Sequence, residues 1–152
     1  MKQPQLPNLF LDQSTDHIWI INLDYQLIYA NKRWLNLVRE VTGKKQKLYQ
    51  SAFVEGFGQG YVEKWKTYYE RALNGECFDI EEHYSHPEKN EIQYGQITIK
   101  PLRGDDKEIF AVACQSRDIT SIVKHKSEAN QLIDASLDVF CTINEQDTRP
   151  KN

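Results

Sequence analysis

The stretch HIWIINLDYQLIYAN, residues 17–31, decides the fold of this chain. Residues 17–23 and 27–30 are rich in β-branched and aromatic side chains, and the polar segment 24–26 lies between them. Two such runs joined by a tight turn predict an antiparallel hairpin. Asn31 follows the second run, where its side chain can accept backbone N–H bonds at the start of a helix. One short segment thus predicts two strands and the cap of a helix.

Two helices are predicted after the hairpin. The first begins beyond Asn31 and ends at Gly43, because its apolar residues recur at helical spacing. The second spans residues 61–73, where the apolar side chains form one stripe and Asn74-Gly75 provides a C-terminal stop. Residues 44–60 separate the helices and include three glycines at alternate positions, which predicts loops and short turns.

The second half of the chain predicts three further strands and a helix. The strands cover residues 76–84, 91–102 and 108–117, and the short polar segments between them are typical of hairpin connections. Residues 119–136 then return to helical spacing, and a short turn or helix at 9–14 leads into the first strand. Hairpins on both sides of the helices indicate an α+β fold, with helices packed on one face of an antiparallel sheet.

Composition and charge exclude several classes of function. The chain has 152 residues, 19 of them basic and 22 acidic, and its net charge of −3 provides no basic surface for nucleic acid. No apolar run is long enough for a signal peptide or a membrane span. The three cysteines, Cys77, Cys114 and Cys141, fit neither a disulfide framework nor a zinc pair. We therefore expect a cytoplasmic protein.

An internal repeat divides the chain. Residues 11–22, LDQSTDHIWIIN, recur at 133–144 as IDASLDVFCTIN, with five identical positions. The second copy ends soon after its first predicted strand, over 139–143. We therefore expect a lead-in segment over 1–15, a domain over 16–118, a linking helix over 119–136, and the truncated start of a second, similar domain over 137–152.

The hairpin ending in Tyr29-Ala30-Asn31, the aromatic helix and the strand running into Arg117-Asp118-Ile119-Thr120 resemble a PAS sensor domain. The resemblance covers residues 12–120, and the second copy resembles the opening of another PAS domain. It implies a five-stranded antiparallel sheet of order 2-1-5-4-3 with helices on one face, followed in the chain by an exit helix. It also implies an input module of the kind found in bacterial sensor histidine kinases of two-component systems, with any catalytic output outside this chain.

Two local patterns that could carry chemistry have structural interpretations. The glycines at 56, 58 and 60 lack the Lys and Ser or Thr of a phosphate loop, and Tyr61 stands where a dinucleotide motif needs its third glycine. His83 and His86 lie among glutamates, but residues three apart on a strand face opposite sides, and the turn beside them is expected to be solvated. We expect no metal site and no catalytic residue, and an enzyme of similar topology is the least favoured interpretation.

The aromatic side chains are the candidates for ligand binding. Trp65 and Tyr69 lie on the stripe of the second helix, where they either pack against the sheet or line a cavity, and one ring can do both. Trp34 and Tyr94 have the same two interpretations. The last strand would also line any cavity, which adds Cys114, itself expected to be a buried and unreactive thiol. These five residues form the predicted ligand pocket.

The resemblance also bears on cofactors. Haem-binding members of the PAS family carry a histidine on the second helix, and residues 61–73 contain none. Members that form a flavin photoadduct carry a reactive cysteine in an Asn-Cys-Arg-Phe motif, which this sequence lacks. Haem and covalent flavin are therefore disfavoured, and an unknown small molecule is left as the candidate ligand.

We expect a non-catalytic sensory and dimerisation module that passes a signal from its last strand into the exit helix. Asp118, Ile119 and Thr120 form the junction, where short polar side chains can cap free N–H groups. The expected partners are a second copy of the chain, forming a homodimer, and an output domain in the same polypeptide. The alternative is a domain that binds no ligand and only dimerises or docks a protein partner.

Overall fold

A computed structural model describes residues 6–147. Its elements in chain order are α1 (Leu6–Asp12), β1 (His17–Asn22), β2 (Leu27–Ala30), α2 (Lys32–Thr42), α3 (Tyr61–Leu73), β3 (Phe78–His86), β4 (Glu91–Arg103), β5 (Ile109–Asp118) and α4 (Thr120–Asp147). The strands form one antiparallel sheet of order β2-β1-β5-β4-β3. This order confirms the predicted α+β fold. The chain divides into two units, one ending at Ile119 and the other beginning at Thr120.

One face of the sheet carries the hydrophobic core. Trp19 and Ile21 of β1 pair with Cys114 and Val112 of β5, and all four side chains are buried. Side chains alternate between the two faces of a strand, so these residues point to the same side. Helices α2 and α3 pack on that side, against β1 and against β4 and β5 respectively. The core therefore lies between a sheet and two helices.

Asn31 joins α1, β1 and α2 through one buried amide. Its Oδ1 accepts hydrogen bonds from the backbone N–H groups of Ile18, at 3.1 Å, and Trp34, at 3.0 Å. Its Nδ2 donates to the carbonyl oxygens of Leu11, at 3.1 Å, and Asp16, at 2.8 Å. The predicted cap of α2 is thus confirmed, and the same side chain fastens the N-terminal helix to the sheet.

The helix ends lie close to where the sequence predicts them. Gly43 ends α2 in the left-handed region, with φ 72°, and its N–H donates to the carbonyl oxygen of Arg39. Glycine adopts this conformation without the steric cost that a Cβ would bring. Helix α3 has the predicted bounds, and residues 43–60 form loops and turns.

The start of β3 lies two residues later than predicted, and the N-terminal helix lies at Leu6–Asp12 rather than at 9–14. The N–H of Glu76 donates to the carbonyl oxygen of Arg71 at 3.1 Å, so the backbone still follows the end of α3 there. The Arg71 guanidinium lies 3.7 Å from the ring centroid of Phe78, the first residue of the strand. The helix end therefore continues through Glu76 and delays the strand.

The strand predicted over 139–143 was wrong, because α4 continues as a helix to Asp147. A lone strand has no neighbour to bond its backbone, whereas a helix satisfies its own N–H and C=O groups. Residues 148–152 lie outside the described residues, and the assignment of 137–152 to a second domain stays a prediction. Within residues 6–147, no helix is long and apolar enough to cross a membrane.

Candidate functional site

A cavity of about 60 Å³ lies between the sheet and helices α2 and α3, and we call it the aromatic cavity. Six Phe, Tyr and Trp side chains line it: Trp19, Trp34, Phe57, Tyr61, Trp65 and Tyr84. They come from β1, α2, the loop before α3, α3 and β3. The cavity wall therefore joins most elements of the fold.

The rings of this wall pack against one another. Trp19 and Trp34 stack with centroids 4.0 Å apart, and Phe57 and Tyr61 stack at 4.8 Å. Trp34 and Phe57 are parallel to within 2°, with centroids 6.1 Å apart. Trp65 meets Trp19 edge-on at 5.6 Å. Stacked and edge-on pairs stabilise beyond the area that they bury, so the wall holds a definite shape.

Hydrogen bonds orient two of the indole rings. Trp19 Nε1 donates to the hydroxyl of Tyr69 at 3.0 Å. Trp34 Nε1 donates to Gln46 Oε1 at 3.2 Å, and Gln46 Nε2 donates in turn to the carbonyl oxygen of Ser51 at 3.1 Å. Buried N–H groups need such partners. The loop after α2 thus fixes one side of the aromatic cavity.

Glu82 of β3 supplies a carboxylate to the cavity wall. Its Oε2 lies 2.6 Å from Lys64 Nζ, and its Oε1 accepts a hydrogen bond from the Tyr68 hydroxyl at 2.8 Å. The side chain of Glu82 is 16% exposed and that of Lys64 is 49% exposed. Water therefore screens the ammonium group more than it screens the carboxylate.

Burial keeps the hydroxyl and thiol groups of the site protonated. It raises the pKa of Tyr84 to about 12, and the carboxylates of Asp118 and Glu40 act in the same direction. Burial is also the main cause that raises the pKa of Tyr61, and it raises the pKa of the Cys114 thiol. Groups that stay neutral at physiological pH suit a binding wall better than acid–base catalysis.

The predicted pocket residues fall into three groups, of which the first two lie on the core side of the sheet. Trp34 and Trp65 line the aromatic cavity. Tyr69 and Cys114 are buried in the adjoining core, where both contact Trp19, the first by a hydrogen bond and the second as its strand partner.

Tyr94 lies on the opposite face of the sheet. Gly95 lines the aromatic cavity, so its neighbour on β4 points the other way. The ring centroid of Tyr94 is 5.9 Å from that of His83, its exposed strand partner on β3, which also borders the cavity. A Cβ at Gly95 would lie 2.8 Å from Ser116 Oγ, and only glycine fits here without a shift.

Phe57 and Glu82 are wall residues that the sequence analysis did not select. Phe57 lies in the glycine-containing loop, where no periodic pattern assigns a direction to its side chain. Glu82 does carry a signal, since Ile80 and Tyr84 flank it at spacing two and belong to the buried face of β3. A carboxylate between two inward apolar residues is the pattern that could have revealed it.

The predicted junction residues lie where β5 becomes α4. Asp118 is the last residue of β5 and is exposed, and Thr120 is the first residue of α4. Ile119 between them is buried, and its N–H donates to the carbonyl oxygen of Tyr94 at 2.9 Å. Over residues 120–137 of α4, where side chains are described, four large apolar ones are exposed: Ile122, Leu132, Ile133 and Leu137.

A second cavity, of about 240 Å³, lies beside the first and is called the polar cavity. Its lining includes the titratable or charged side chains His17, Arg33, Glu40, His86, Glu88, Lys89 and Asp118, and it shares Leu37 and Tyr84 with the aromatic cavity. Burial and the nearby Arg33 guanidinium lower the pKa of His17. Among residues 6–147, no three His, Cys, Asp or Glu side chains are grouped so as to hold a metal ion.

His86 is buried at the edge of the polar cavity, so the expectation of a solvated turn was wrong for this residue. Its Nδ1 accepts a hydrogen bond from the backbone N–H of Glu88 at 3.2 Å. The proton therefore resides on Nε2, which donates to Glu40 Oε2 at 3.0 Å. Each ring nitrogen has a partner within the protein.

Comparisons with known proteins agree with this architecture. A sequence profile of the PAS fold matches residues 11–123. No curated protein sequence matches the chain. A PAS domain from Colwellia psychrerythraea has 21% identity and a TM-score of 0.54, covering 76% of this chain and 95% of its own. A sensory box histidine kinase/response regulator from Burkholderia thailandensis has 13% identity and a TM-score of 0.52, covering 85% and 95%.

VqmA of Vibrio cholerae, described as a dimer with a target DNA, is also similar in fold. Its identity is 16% and the TM-score 0.60, over 79% of this chain. The match covers 53% of the VqmA chain, so the present chain spans about half the length of that protein.

Proposed function

Because this chain belongs to the PAS-fold family, we propose that it is a non-catalytic sensory and dimerisation module whose ligand occupies the aromatic cavity. The cavity is the observation that supports this function most directly. Small-molecule sites are concave and mostly apolar, with a few placed polar groups. Six aromatic side chains with Glu82 and Ser116 match that description.

The proposed signal leaves the domain through β4 and β5. Gly95 and Ser116 line the aromatic cavity on these two strands. Three residues beyond Ser116, the N–H of Ile119 is bonded to the carbonyl oxygen of Tyr94, the neighbour of Gly95. A ligand that shifts either strand therefore acts on the hydrogen bond immediately before α4. Such a ligand changes the population of junction conformations by its differential affinity for them.

The proposed dimer pairs α4 with its copy in a second chain. Ile122, Ala129 and Ile133 are spaced seven and four apart, with Lys126 at the intervening seam position. Ile119 has the spacing to extend this seam, but it is buried in the sensor unit, so the exposed seam starts at Ile122. A charged seam residue weakens pairing, which allows a modest shift in the sensor to change it.

We propose a cytoplasmic location and an output domain in cis, of the histidine-kinase type by similarity to the Burkholderia protein. Cys77 and Cys114 are free thiols, as a reducing compartment permits. The net charge of −3 argues against direct contact with nucleic acid by this chain. The target DNA is described for VqmA, a protein of which the match covers only 53%.

Mass spectrometry of the purified protein under native conditions, followed by organic extraction, tests the sensing function. We expect a colourless protein that carries or accepts one small molecule per chain, and a dimer that sedimentation detects at high concentration. A haem or flavin spectrum near full occupancy would contradict the cofactor proposal. An aromatic cavity that accepts no molecule would contradict sensing.

Insertions in α4 test the route of the signal, in a chimera with a histidine-kinase output. Seven residues inserted within 121–128 restore the helical register and should preserve regulation. Two residues rotate the seam and should disturb it. Equal regulated output from both insertions would show that α4 is only a tether.

A ligand-free docking domain is the second candidate function. The exposed apolar side chains of α4, such as Leu132 at 70%, favour it, because monomeric proteins seldom leave several such groups unprotected on one helix. Binding of a partner domain to the protein with an empty aromatic cavity, unchanged by Trp34→Leu, would support this function over sensing.

A further inference from the structure

We infer that the aromatic cavity is built for a small organic cation, a methylated or primary ammonium group of about five non-hydrogen atoms. The inference rests on the proposed sensing function and adds the chemical class of the ligand. Three features of the wall carry it: the size of the space, the geometry of the rings and the placement of charge.

The size of the cavity limits the ligand. Its volume is about 60 Å³. Since roughly 10 to 15 Å³ of such volume holds one water molecule, about four to six water-sized groups fit. A tetrahedral ammonium with four methyl groups falls within this range. A nucleotide or a fused heterocycle does not.

The ring geometry favours a compact ligand over a flat one. A flat aromatic ligand between two ring faces needs about 7 Å, which is twice the contact distance of carbon atoms. Trp34 and Phe57 are the parallel pair in the wall, and their centroids are 6.1 Å apart. Trp19 already covers one face of Trp34 at 4.0 Å, and Tyr61 covers Phe57 at 4.8 Å. The wall thus offers ring edges and partial faces around a rounded space.

The charge of the wall favours a cation. Glu82 contributes a carboxylate, His83 also borders the cavity, and no lysine or arginine is among the described residues that line it. Aromatic faces are negative and ring edges are positive, so the partly open faces of the wall are the parts that attract a desolvated cation. Lys64 pairs with Glu82 from outside the cavity, where its side chain is 49% exposed and screened by solvent. Glu82 therefore places a negative charge at the cavity wall, and Lys64 places its positive charge outside it.

Carboxylates also lie near two tyrosines of the wall. After burial, Asp118 and Glu40, which line the polar cavity, raise the pKa of Tyr84. For Tyr61, Cys114 follows burial and Glu82 follows Cys114, and both raise the pKa. A carboxylate that destabilises a tyrosinate stabilises a positive charge near the same hydroxyl.

Tetramethylammonium and tert-butanol form a matched pair of probes, because they have the same number of non-hydrogen atoms and similar shape but differ in charge. All three tryptophans of the chain line the aromatic cavity, so their fluorescence reports occupancy. Titrations at constant ionic strength, balanced with sodium chloride, should show tetramethylammonium binding about tenfold more tightly than tert-butanol.

Variants of the charged wall give effects of opposite sign. Glu82→Gln keeps an acceptor for Tyr68 and should weaken tetramethylammonium binding about tenfold, with tert-butanol unchanged. Lys64→Met removes the competing cation and should strengthen tetramethylammonium binding. Glu81→Gln is the matched control, because Glu81 is exposed on the other face of β3 and should change neither probe. If Glu82→Gln fails to fold, the direction of the change in tetramethylammonium affinity in Lys64→Met still tests the inference.

The outcomes separate the ligand class from the sensing function. Equal or tighter binding of tert-butanol would overturn the cation inference and leave a neutral-ligand sensor. An unchanged tetramethylammonium affinity in both Glu82→Gln and Lys64→Met would overturn the role of Glu82. Binding of neither probe to the wild-type protein would overturn the cation inference alone, because native mass spectrometry tests the sensing function separately.

Discussion

The aromatic cavity and the polar cavity are neighbours that share Leu37 and Tyr84, yet one measures about 60 Å³ and the other about 240 Å³. Apolar rings gain free energy by closing on one another, so the aromatic wall contracts until little space is left. Charged side chains keep their hydration, so the polar wall stays open. A void beside apolar rings costs free energy, so its presence in the folded protein indicates a binding site. A hydrated space between charged side chains has no such cost and does not by itself indicate one.

The largest expected effect is the loss of stability when a ring of the aromatic cavity is removed. Trp65 is 3% exposed, and Trp65→Ala should reduce the free energy of unfolding by about 3 to 5 kcal/mol, because a large buried ring is lost and a cavity is left. Urea unfolding measures it. Lys66→Ala on the exposed side of α3 should change stability by less than about 0.5 kcal/mol. A loss below about 1 kcal/mol for Trp65→Ala would mean that its ring is not part of the core.

Gly95→Ala tests how closely the aromatic cavity is fitted. The new Cβ would approach Ser116 Oγ to 2.8 Å, and the expected loss of stability is about 1 to 3 kcal/mol from overpacking. Adding Ser116→Ala removes the hydroxyl oxygen and should recover part of the loss in urea unfolding. If Gly95→Ala is as stable as the wild-type protein, β4 and β5 can move apart at little cost. The aromatic cavity would then be less tightly packed than its contrast with the polar cavity suggests.

His86→Phe probes a wall of the polar cavity without removing volume. It deletes the bonds to Glu40 and to the N–H of Glu88, and the expected loss is about 1 kcal/mol, since Glu40 regains water. Ser85→Ala, on the exposed side of β3, is the control. A loss as large as that of Trp65→Ala would mean that the polar wall is as much a core as the aromatic one.

The smallest expected effect is a pH dependence from His17. Burial lowers its pKa below the ordinary 6.5, Arg33 and Lys89 act in the same direction, and Asp118 and Asp16 oppose it. The unfolded chain therefore binds a proton that the folded chain does not as the pH falls below about 6.5, so stability declines there and is unaffected above it. His17→Gln should flatten the stability curve between about pH 5 and 7. Parallel curves would contradict the shift.

The sequence predicts the fold better than the site because its periodic signals are local. The stripe of α3 and the hairpin runs depend on neighbours two to four residues away, and the order of these elements along the chain was predicted correctly. The order of the strands in the sheet was implied by the resemblance to PAS domains. Tyr94 was a candidate for the pocket but lies on the other face, because Gly95, which has no side chain to reveal its direction, takes the inward position. Glu82 depends on Lys64 and Tyr68, which lie far away in the sequence. Only the tertiary structure brings these groups together.

The Asn31 amide also makes the domain cooperative along its backbone. The N–H groups of Ile18 and Trp34 share a single acceptor, Asn31 Oδ1. Any opening that withdraws this oxygen releases a β1 amide and an α2 amide in one event, and it also releases the carbonyl of Leu11 in α1. In hydrogen–deuterium exchange, Ile18 and Trp34 should therefore show the same opening free energy although they belong to different elements. The start of β1 and the first turn of α2 then exchange as one unit.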